Sequence, residues 1–417
     1  MELSDINLLD PDVFTEGVPH EWFTYLRKNA PVYKHPEPDG PGFWVITKHD
    51  DVSHVGRDAK TFSSSAKRGG VVGLEEPTPE ERMELENQAA FTGNMMLYMD
   101  PPDHTLYRNI VHDGFRPRMI WALEEKIRER AVHILDEAIA KGECDFVVDV
   151  AAEVPLQAIA ELLGVPMEDR HKLFDWSNRM IGSVDPEYAV SEENVRNAQV
   201  EMFMYAQKLA EDRRNNPSSD IVSTLLQGEV DGHSLSELDF NLFFLLLSVA
   251  GNETTRNAMS HGMAALLDNP DQYQILVEDP SAIDTAVEEI VRWASPVMYF
   301  RRNVTQDTEL RGVPIKEGDK VSVWYISANR DEDVFEEPFR FDVRRHPNDH
   351  IAFGSGHHFC LGFNLARLEI KVLFEEMAKR VTKVESVGDI SRLRSNFIAG
   401  IKHLPVRFTE VRQPAGV

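Results

Sequence analysis

The chain has 417 residues and a formal net charge of -26 at pH 7, with 44 Lys and Arg residues against 70 Asp and Glu residues. This excess of negative charge disfavours nucleic acids and anionic membranes as partners. Because there are only two cysteines and no tract of linker-like composition, we predict a single domain over residues 1–417 without a disulfide framework.

The N-terminal segment is acidic and lacks the basic region and apolar core of a secretion signal. The longest apolar run, residues 242–251, is too short to cross a bilayer. We therefore expect a cytoplasmic protein without a membrane anchor.

A helix is predicted after the sequence Asp-Pro-Pro at residues 100–102, because proline is favoured in the first turn of a helix. His104 and Arg108 are four residues apart and share one face of this helix. Without further context, the two side chains would form an ordinary solvated pair.

A much longer helix is predicted from a capping box at Ser234 and Glu237 to about Leu267. Its apolar centre is interrupted at residues 250–255 by the sequence Ala-Gly-Asn-Glu-Thr-Thr, which contains poor helix formers and a carboxylate. On helix statistics alone, the Thr254 hydroxyl would bond back to a carbonyl and the carboxylate would pair with an arginine. Breaks in local rules nevertheless also mark functional sites.

Beyond this helix, a charge pair with helical spacing is followed by a change of pattern to short strands. Glu289 and Arg292 have the spacing that brings a carboxylate and a guanidinium onto one helix face. Short strands with a hairpin are then predicted over residues 308–315 and 320–325.

Residues 353–362 read Phe-Gly-Ser-Gly-His-His-Phe-Cys-Leu-Gly, a glycine-bent loop that places Cys360 at the start of an amphipathic helix. Unpaired N–H groups and the helix dipole at that position favour a thiolate. Zinc is disfavoured because Cys144 stands alone and offers no fourth ligand. A dinucleotide loop is excluded because its third glycine would fall on Phe359.

Together, these motifs resemble those of the cytochrome P450 family, in the right order and over nearly the whole chain. The resemblance implies a mainly α fold with small peripheral β-sheets, in which a long central helix passes over the haem. It implies haem b as the cofactor, with Cys360 as the ligand of the iron. The other implied haem contacts are His104, Arg108, Ala250, Gly251, Arg302, Phe353, Gly354, His358, Gly362 and Ala366.

The same resemblance gives roles to individual side chains. Thr254 would hydrogen-bond dioxygen at the iron and Glu253 would relay protons towards it. Glu289, Arg292 and Arg340 would form a structural ion network below the haem. The haem propionates would be bound by His104, Arg108, Arg302 and His358.

The implied activity is that of a haem-thiolate monooxygenase, which inserts one oxygen atom from O2 into a C–H bond. We expect a ferredoxin and a ferredoxin reductase to supply electrons, with docking on a basic patch of Arg116, Arg118, Arg344 and Arg345. Two alternatives remain: a haem-thiolate sensor or carrier without turnover, and a peroxide-driven peroxygenase. Both would have less need of Glu253 and Thr254.

The substrate is expected to be apolar, and longer strings of the sequence resemble the bacterial subgroup that hydroxylates methyl-branched lipids and sterol side chains. We therefore expect a branched-chain lipid, a terpenoid or a steroid, with a linear alkane or fatty acid as the alternative. The predicted pocket residues are Met95, Met96, Leu97, Val249, Val297, Met298 and Phe397.

Overall fold

The computed structural model describes residues 1–76, 95–189, 191–230 and 232–411. Helices account for most of the described chain, and the strands form small sheets, which confirms the predicted fold class. The helices are α1 (His20–Asn29), α2 (His49–Arg57), α3 (Asp103–His112), α4 (Pro117–Trp121), α5 (Glu124–Lys141), α6 (Glu153–Leu163), α7 (Arg170–Ile181), α8 (Glu192–Asn215), α9 (Ile221–Gln227), α10 (Glu237–Asp268), α11 (Pro270–Glu278), α12 (Ile283–Ala294), α13 (Tyr325–Ala328) and α14 (Phe363–Arg380). The strands are β1 (Val32–His35), β2 (Phe43–Ile46), β3 (Phe62–Ser63), β4 (Glu143–Asp145), β5 (Glu229–Val230), β6 (His233–Ser234), β7 (Tyr299–Val304), β8 (Thr308–Leu310), β9 (Val313–Ile315), β10 (Lys320–Trp324), β11 (Val381–Ser386), β12 (Ser391–Arg392), β13 (Ile401–His403) and β14 (Pro405–Val411).

The predicted long helix is α10, but its capping box lies two residues later than expected. Ser236, not Ser234, is the N-cap: its hydroxyl accepts from the Asp239 N–H at 3.1 Å, and the Asp239 carboxylate accepts from the Ser236 N–H at 3.1 Å. Ser234 lies instead in β6, where its backbone pairs with Glu229 of β5. The strand pairing therefore delays the start of the helix.

Helix α10 runs through the main apolar core and packs against α6, α7, α8, α12 and α14. Most of its 32 residues are buried, and leucine, phenylalanine and methionine side chains among them join the apolar core, which helps to hold so long a helix inside a domain. Since α14 follows Cys360, this packing fixes the long helix relative to the cysteine loop.

The largest sheet has five strands in the order β1-β2-β10-β7-β3, with β2 and β10 parallel and the other pairs antiparallel. In β7, Arg302 lies opposite Val321 of β10. The predicted hairpin is confirmed in β8 and β9, where Thr308 pairs with Ile315. Strand β14 pairs with both β11 and β4.

None of the helices in the described ranges combines the length and the apolar character that a bilayer crossing demands.

Candidate active site

The cysteine loop is held tightly from both sides. Gly354 and Gly356 have φ angles of 76° and 73°, which side-chain-bearing residues rarely adopt. The Cys360 N–H donates to the Phe353 carbonyl at 2.9 Å and closes the loop. On the outer side, a Cβ at Gly356 would overlap the carbonyl oxygen of Gly56 in α2. The glycines therefore provide both the turn and the close approach of the loop to α2.

The sulfur of Cys360 lies in a mixed environment. Burial raises the pKa of the Cys360 thiol, while the Gly362 N–H and the guanidinium groups of Arg108 and Arg367 act in the opposite direction without fully offsetting it. The helix end alone therefore does not keep the sulfur ionised, contrary to the simplest expectation from its position. A coordinated cation would do so, because metal ligation deprotonates a thiol. The environment of Cys360 thus fits a metal ligand.

Two arginines approach this region without a carboxylate partner in the described chain. Arg302 is buried in β7, and Nη1 donates to the Arg301 carbonyl at 2.8 Å. Arg108 Nη2 donates to the carbonyl of Phe359, the residue before the cysteine, at 2.7 Å. Burial lowers the pKa of both guanidinium groups. Because buried cations need anionic partners, these residues fit the carboxylates of a haem propionate pair.

Two histidines complete the cluster. The rings of His104 and His358 are in contact, with 4.3 Å between centroids and an angle of 54° between the planes, and His358 Nε2 donates to the Met99 carbonyl at 3.0 Å. His104 Nδ1 is buried without a hydrogen-bond partner in the described chain. Burial and the nearby Arg108 charge lower the pKa of His104 to about 4. Polar groups left unsatisfied in this way are costly unless a ligand binds them. The structure thus brings the predicted propionate residues to one region.

The interrupted centre of α10 presents two different faces. Ala250 is exposed and Gly251 and Thr254 are half-buried, whereas Asn252 and Glu253 are buried. Thr254 Oγ1 donates to the Ala250 carbonyl at 2.8 Å, as expected from local helix chemistry. A flat face of small residues in the middle of a buried helix is suited to contact with a planar cofactor.

On the buried face, the Glu253 carboxylate accepts a hydrogen bond from Arg256, as expected. Arg256 Nη1 also donates to Asn178 Oδ1 of α7 at 2.8 Å. Oε1 of Glu253 has no partner in the described chain. Burial raises the pKa of the Glu253 carboxyl despite the opposing effect of Arg256. Asn178 was not foreseen, because nothing in the sequence places α7 beside α10.

Comparison with known proteins decides the family. The sequence model of the cytochrome P450 family matches residues 281–382. The steroid C26-monooxygenase of Rhodococcus jostii (strain RHA1) is 45% identical, over 96% of this chain and 84% of its own. The methyl-branched lipid omega-hydroxylase of Mycobacterium tuberculosis (strain ATCC 25618 / H37Rv) is 41% identical, over 98% and 95%. The chain belongs to the cytochrome P450 family.

The fold agrees with that assignment. A crystallised cytochrome P450 of Mycobacterium marinum, in complex with pseudoionone, superposes with a TM-score of 0.88 at 37% identity, covering 96% of this chain and 98% of its own. This P450 is therefore a haem b protein and a monooxygenase that acts on apolar substrates with O2.

The ion network of this P450 differs from the prediction in one member. Glu289 and Arg292 are fully buried and paired, with Nε–Oε2 at 2.7 Å. The third member is Arg345, whose Nε lies 3.1 Å from Glu289 Oε2. The prediction that Arg340 fills this place is wrong: its side chain is 59% exposed and pairs with Glu337. Only the main-chain carbonyl of Arg340 joins the network, by accepting from Arg345 Nη2 at 2.9 Å.

The predicted pocket residues of this P450 fall into two groups. Val297 and Phe397 are half-buried and belong to neighbouring segments, since the Met298 N–H donates to the Phe397 carbonyl at 2.9 Å. Met298 is fully buried and lines a cavity bordered by the N-terminal segment. Of the other predicted pocket residues, Met95 and Met96 are buried, whereas Leu97 and Val249 are half-buried.

The remaining haem contacts implied by the family signature lie on the cysteine loop and the first turn of α14. They are half-buried, like Cys360 itself, so their surfaces are partly free of protein contacts. They are Phe353, Gly354, Gly362 and Ala366.

Proposed function

We propose that this P450 hydroxylates a C–H bond of a methyl-branched apolar molecule, namely a branched-chain lipid, a terpenoid or a steroid. Support comes from the names of two relatives at more than 40% identity, a steroid C26-monooxygenase and a methyl-branched lipid omega-hydroxylase. The relative of known structure binds pseudoionone. Linear alkanes and fatty acids are the competing substrate class.

In this proposal, Cys360 holds the haem iron, while Arg302, Arg108, His104 and His358 bind the propionates. The observation that carries the assignment is the approach of two arginines, the buried Arg302 and the half-buried Arg108, to the cysteine loop without a carboxylate partner in the described chain; Arg108 donates directly to the carbonyl preceding Cys360. When bound, the haem supplies oxygen activation and the transfer of an oxygen atom. The protein supplies the position of the substrate and the protons.

Thr254 and Glu253 are the proposed proton-handling residues. The Thr254 hydroxyl lies on the exposed face of α10 and is satisfied by the Ala250 carbonyl until another acceptor competes for it. The Glu253 carboxyl, whose pKa is raised by burial, holds a proton more readily than an exposed glutamate. Rotation of Glu253 away from Arg256 would bring that proton towards Thr254.

Electrons are proposed to come from a ferredoxin and its reductase, with docking on α4. This short helix packs against α14, which follows Cys360. Arg116 and Arg118 are exposed on or beside it, together with Met119 at 53% and Trp121 at 47% exposure. Exposed apolar side chains framed by arginines are suited to an acidic protein partner.

The other two arginines of the predicted docking patch are engaged elsewhere. Arg345 is only 10% exposed and is committed to Glu289. Arg344 Nη2 pairs with Asp279 at 2.9 Å. Arg116 is also paired, with Asp113 at 2.7 Å, so Arg118 is the arginine of the patch that forms no ion pair within the described residues, and the proposed docking surface is centred on α4. Charge reversal in Arg118→Glu should slow reduction by ferredoxin, whereas Arg344→Glu, the matched control, should leave the rate unchanged.

The substrate class is tested by titrating the purified holoenzyme with fatty acids, terpenoids and steroids. A bound substrate displaces water from the iron and shifts the Soret band. Compounds that shift the band are then incubated with ferredoxin, reductase and O2, and the products are analysed by mass spectrometry. Hydroxylation of a linear alkane in preference to every branched compound would contradict the proposal.

The same system separates the competing activities. A peroxygenase would turn over faster with hydrogen peroxide than with ferredoxin and O2. A sensor or carrier would consume no O2 with any electron donor while still showing the Soret shift.

We further infer that residues 1–417 form one domain. Apolar residues from both ends of the chain share one cluster, in which Leu8 and Phe23 pack with Met298, Trp324 and Ala399. Limited proteolysis yielding an N-terminal fragment that folds alone would contradict this inference.

A further inference from the structure

A second concave site lies outside the residues assigned to the haem. A cavity of about 250 Å³ is bounded by the N-terminal segment, the end of α12 and the segment containing β12. Its walls include Phe14, Met298 and Ile398. Neither Cys360 nor Thr254 lines it. The wall therefore includes neither the proposed iron ligand nor the proposed proton-handling threonine, although Met298 of the predicted substrate pocket is part of it.

The most unusual wall residue is Arg330. It is 2% exposed, its guanidinium lies 4.8 Å above the Trp293 ring, and Nη2 donates to the Trp293 carbonyl at 2.8 Å. Its Nε and Nη1 are buried without a hydrogen-bond partner in the described part of the chain. A buried guanidinium whose charge is not offset by a paired carboxylate of the described chain is costly.

The neighbouring charges do not neutralise Arg330. Arg27 is paired with Glu332, at 2.9 Å between Nε and Oε2. Glu289 is already shared between Arg292 and Arg345. Glu289, the carboxylate that attracts Arg330, is thus committed to two other arginines.

A second arginine increases the positive charge of the cavity. Arg392 also lines it, is half-buried and forms no ion pair within the described residues, although Asp268 and Glu16 attract it at longer range. The two wall histidines add no negative charge: burial and the arginines lower the pKa of His261 to about 4 and that of His20 well below its usual range. Among the described residues, the wall includes two guanidinium groups and no carboxylate.

We propose that this cavity, named here the Arg330 cavity, binds a small organic carboxylate. The carboxylate would pair directly with the half-buried Arg392 and be attracted by the charge of the buried Arg330, and a compact apolar body would lie against Phe14, Leu393 and Ile398. Since a water molecule occupies about 30 Å³ in the liquid, the cavity has room for a carboxylate with a ring or short branched chain. The apolar walls favour such an anion over inorganic phosphate, whose remaining oxygens would face carbon.

The test uses the holoenzyme and sodium benzoate as the probe, with binding measured by calorimetry. A saturating azole on the haem iron blocks the substrate pocket, so that benzoate bound there would be displaced. Arg392→Gln is the principal variant. Arg394→Gln is the matched control, because this nearby arginine pairs with Asp12 and lies outside the cavity wall. Arg330→Gln provides a second test at the buried guanidinium.

We expect one benzoate per chain, bound with the azole present and without a Soret shift. Arg392→Gln should weaken binding at least tenfold, and Arg394→Gln should leave it unchanged. Absence of saturable binding, loss of binding with the azole, or equal affinity in Arg392→Gln would overturn the proposal. Equally tight binding of sodium phosphate would overturn the assignment to an organic carboxylate. If Arg330→Gln does not fold, Arg392→Gln decides the outcome.

Discussion

Glu253 and Arg256 form an ion pair one turn apart on α10 in which the side chains are only 2% and 3% exposed. Arg256 is in turn fixed by Asn178, so the carboxylate is held by a residue whose own position depends on α7. Because Arg256 favours the ionised carboxylate, it opposes the effect of burial on the Glu253 pKa. The pair therefore controls when Glu253 can carry a proton.

Arg256→Gln should raise the Glu253 pKa further, because the cation that favours its ionised form is lost. The high-pH limb of the turnover profile should then move to higher pH, provided that the protonated carboxyl is the required form. The profile is measured with ferredoxin-supplied electrons over a range of buffers. In the double variant with Glu253→Gln, Arg256→Gln should cause no shift, and a shift in that background would contradict the assigned role.

Thr254→Ala should uncouple electron use from product formation, because the hydroxyl on the exposed face of α10 is removed. The loss of one hydrogen bond of about 1.4 kcal/mol corresponds to a roughly tenfold fall in product formed per electron pair. Product and hydrogen peroxide are measured in the same reaction. Thr255→Ala removes the same atoms from a buried neighbour and should remain coupled; equal uncoupling in both variants would point to a general effect on the helix.

Cys360→Ser should abolish the red-shifted Soret band that reduced, carbon monoxide-bound haem-thiolate proteins show, because the sulfur ligand is lost. The chain contains a matched control in Cys144, which pairs in β4 with β14 and belongs to a different part of the fold. Cys144→Ser should retain the band. A normal band in Cys360→Ser would refute the assignment of the ligand.

Arg345→Ala should destabilise the protein by about 3 kcal/mol, because breaking a buried ion network leaves Glu289 with less compensation. Arg340→Ala removes an exposed pair with Glu337 and should change stability by less than about 1 kcal/mol. Urea unfolding followed by the Soret band and by circular dichroism compares the two variants. The reverse order of destabilisation would restore Arg340 to the network.

Glu288 should make stability depend on acid pH. Burial opposes its ionisation, but hydrogen bonds from His350 and Arg367 outweigh burial and lower its pKa to about 2. Since the folded pKa is depressed, its stabilising contribution is present above the unfolded value of about 4.3 and is lost as pH falls towards 2. In urea titrations between about pH 5 and pH 3, Glu288→Gln should lose stability less steeply than the wild type. Parallel curves would argue against this contribution.

The sequence predicted those features that depend on local rules. Apolar periodicity located α10 and α14, and alternating residues with a turn located β8 and β9. The cysteine loop was recognisable because its glycines and Cys360 are contiguous. Likewise, Glu289 and Arg292 share one helical face at a fixed spacing.

Features that depend on tertiary contacts were missed. Arg340 and Arg345 are close in sequence and chemically identical, and only the path of the chain after α13 decides which one reaches Glu289. The contact of Asn178 with Arg256 and the burial of Met298 away from Val297 likewise depend on packing between distant segments. The start of α10 was misplaced because Ser234 and Ser236 are equally good caps, and the pairing of β5 with β6 decides between them.

The contact between Gly56 and Gly356 has a consequence for assembly of the holoprotein. Ser355 Oγ donates to the Ser53 carbonyl at 3.1 Å across 302 residues of sequence, so the backbone that carries the sulfur is shaped by a helix made early during synthesis. The metal ligand cannot reach its final position until the N-terminal part of the chain has docked. Iron porphyrin is therefore captured by a nearly complete fold. A methyl group added at residue 56 should impair retention of the porphyrin although the methyl group does not contact the porphyrin.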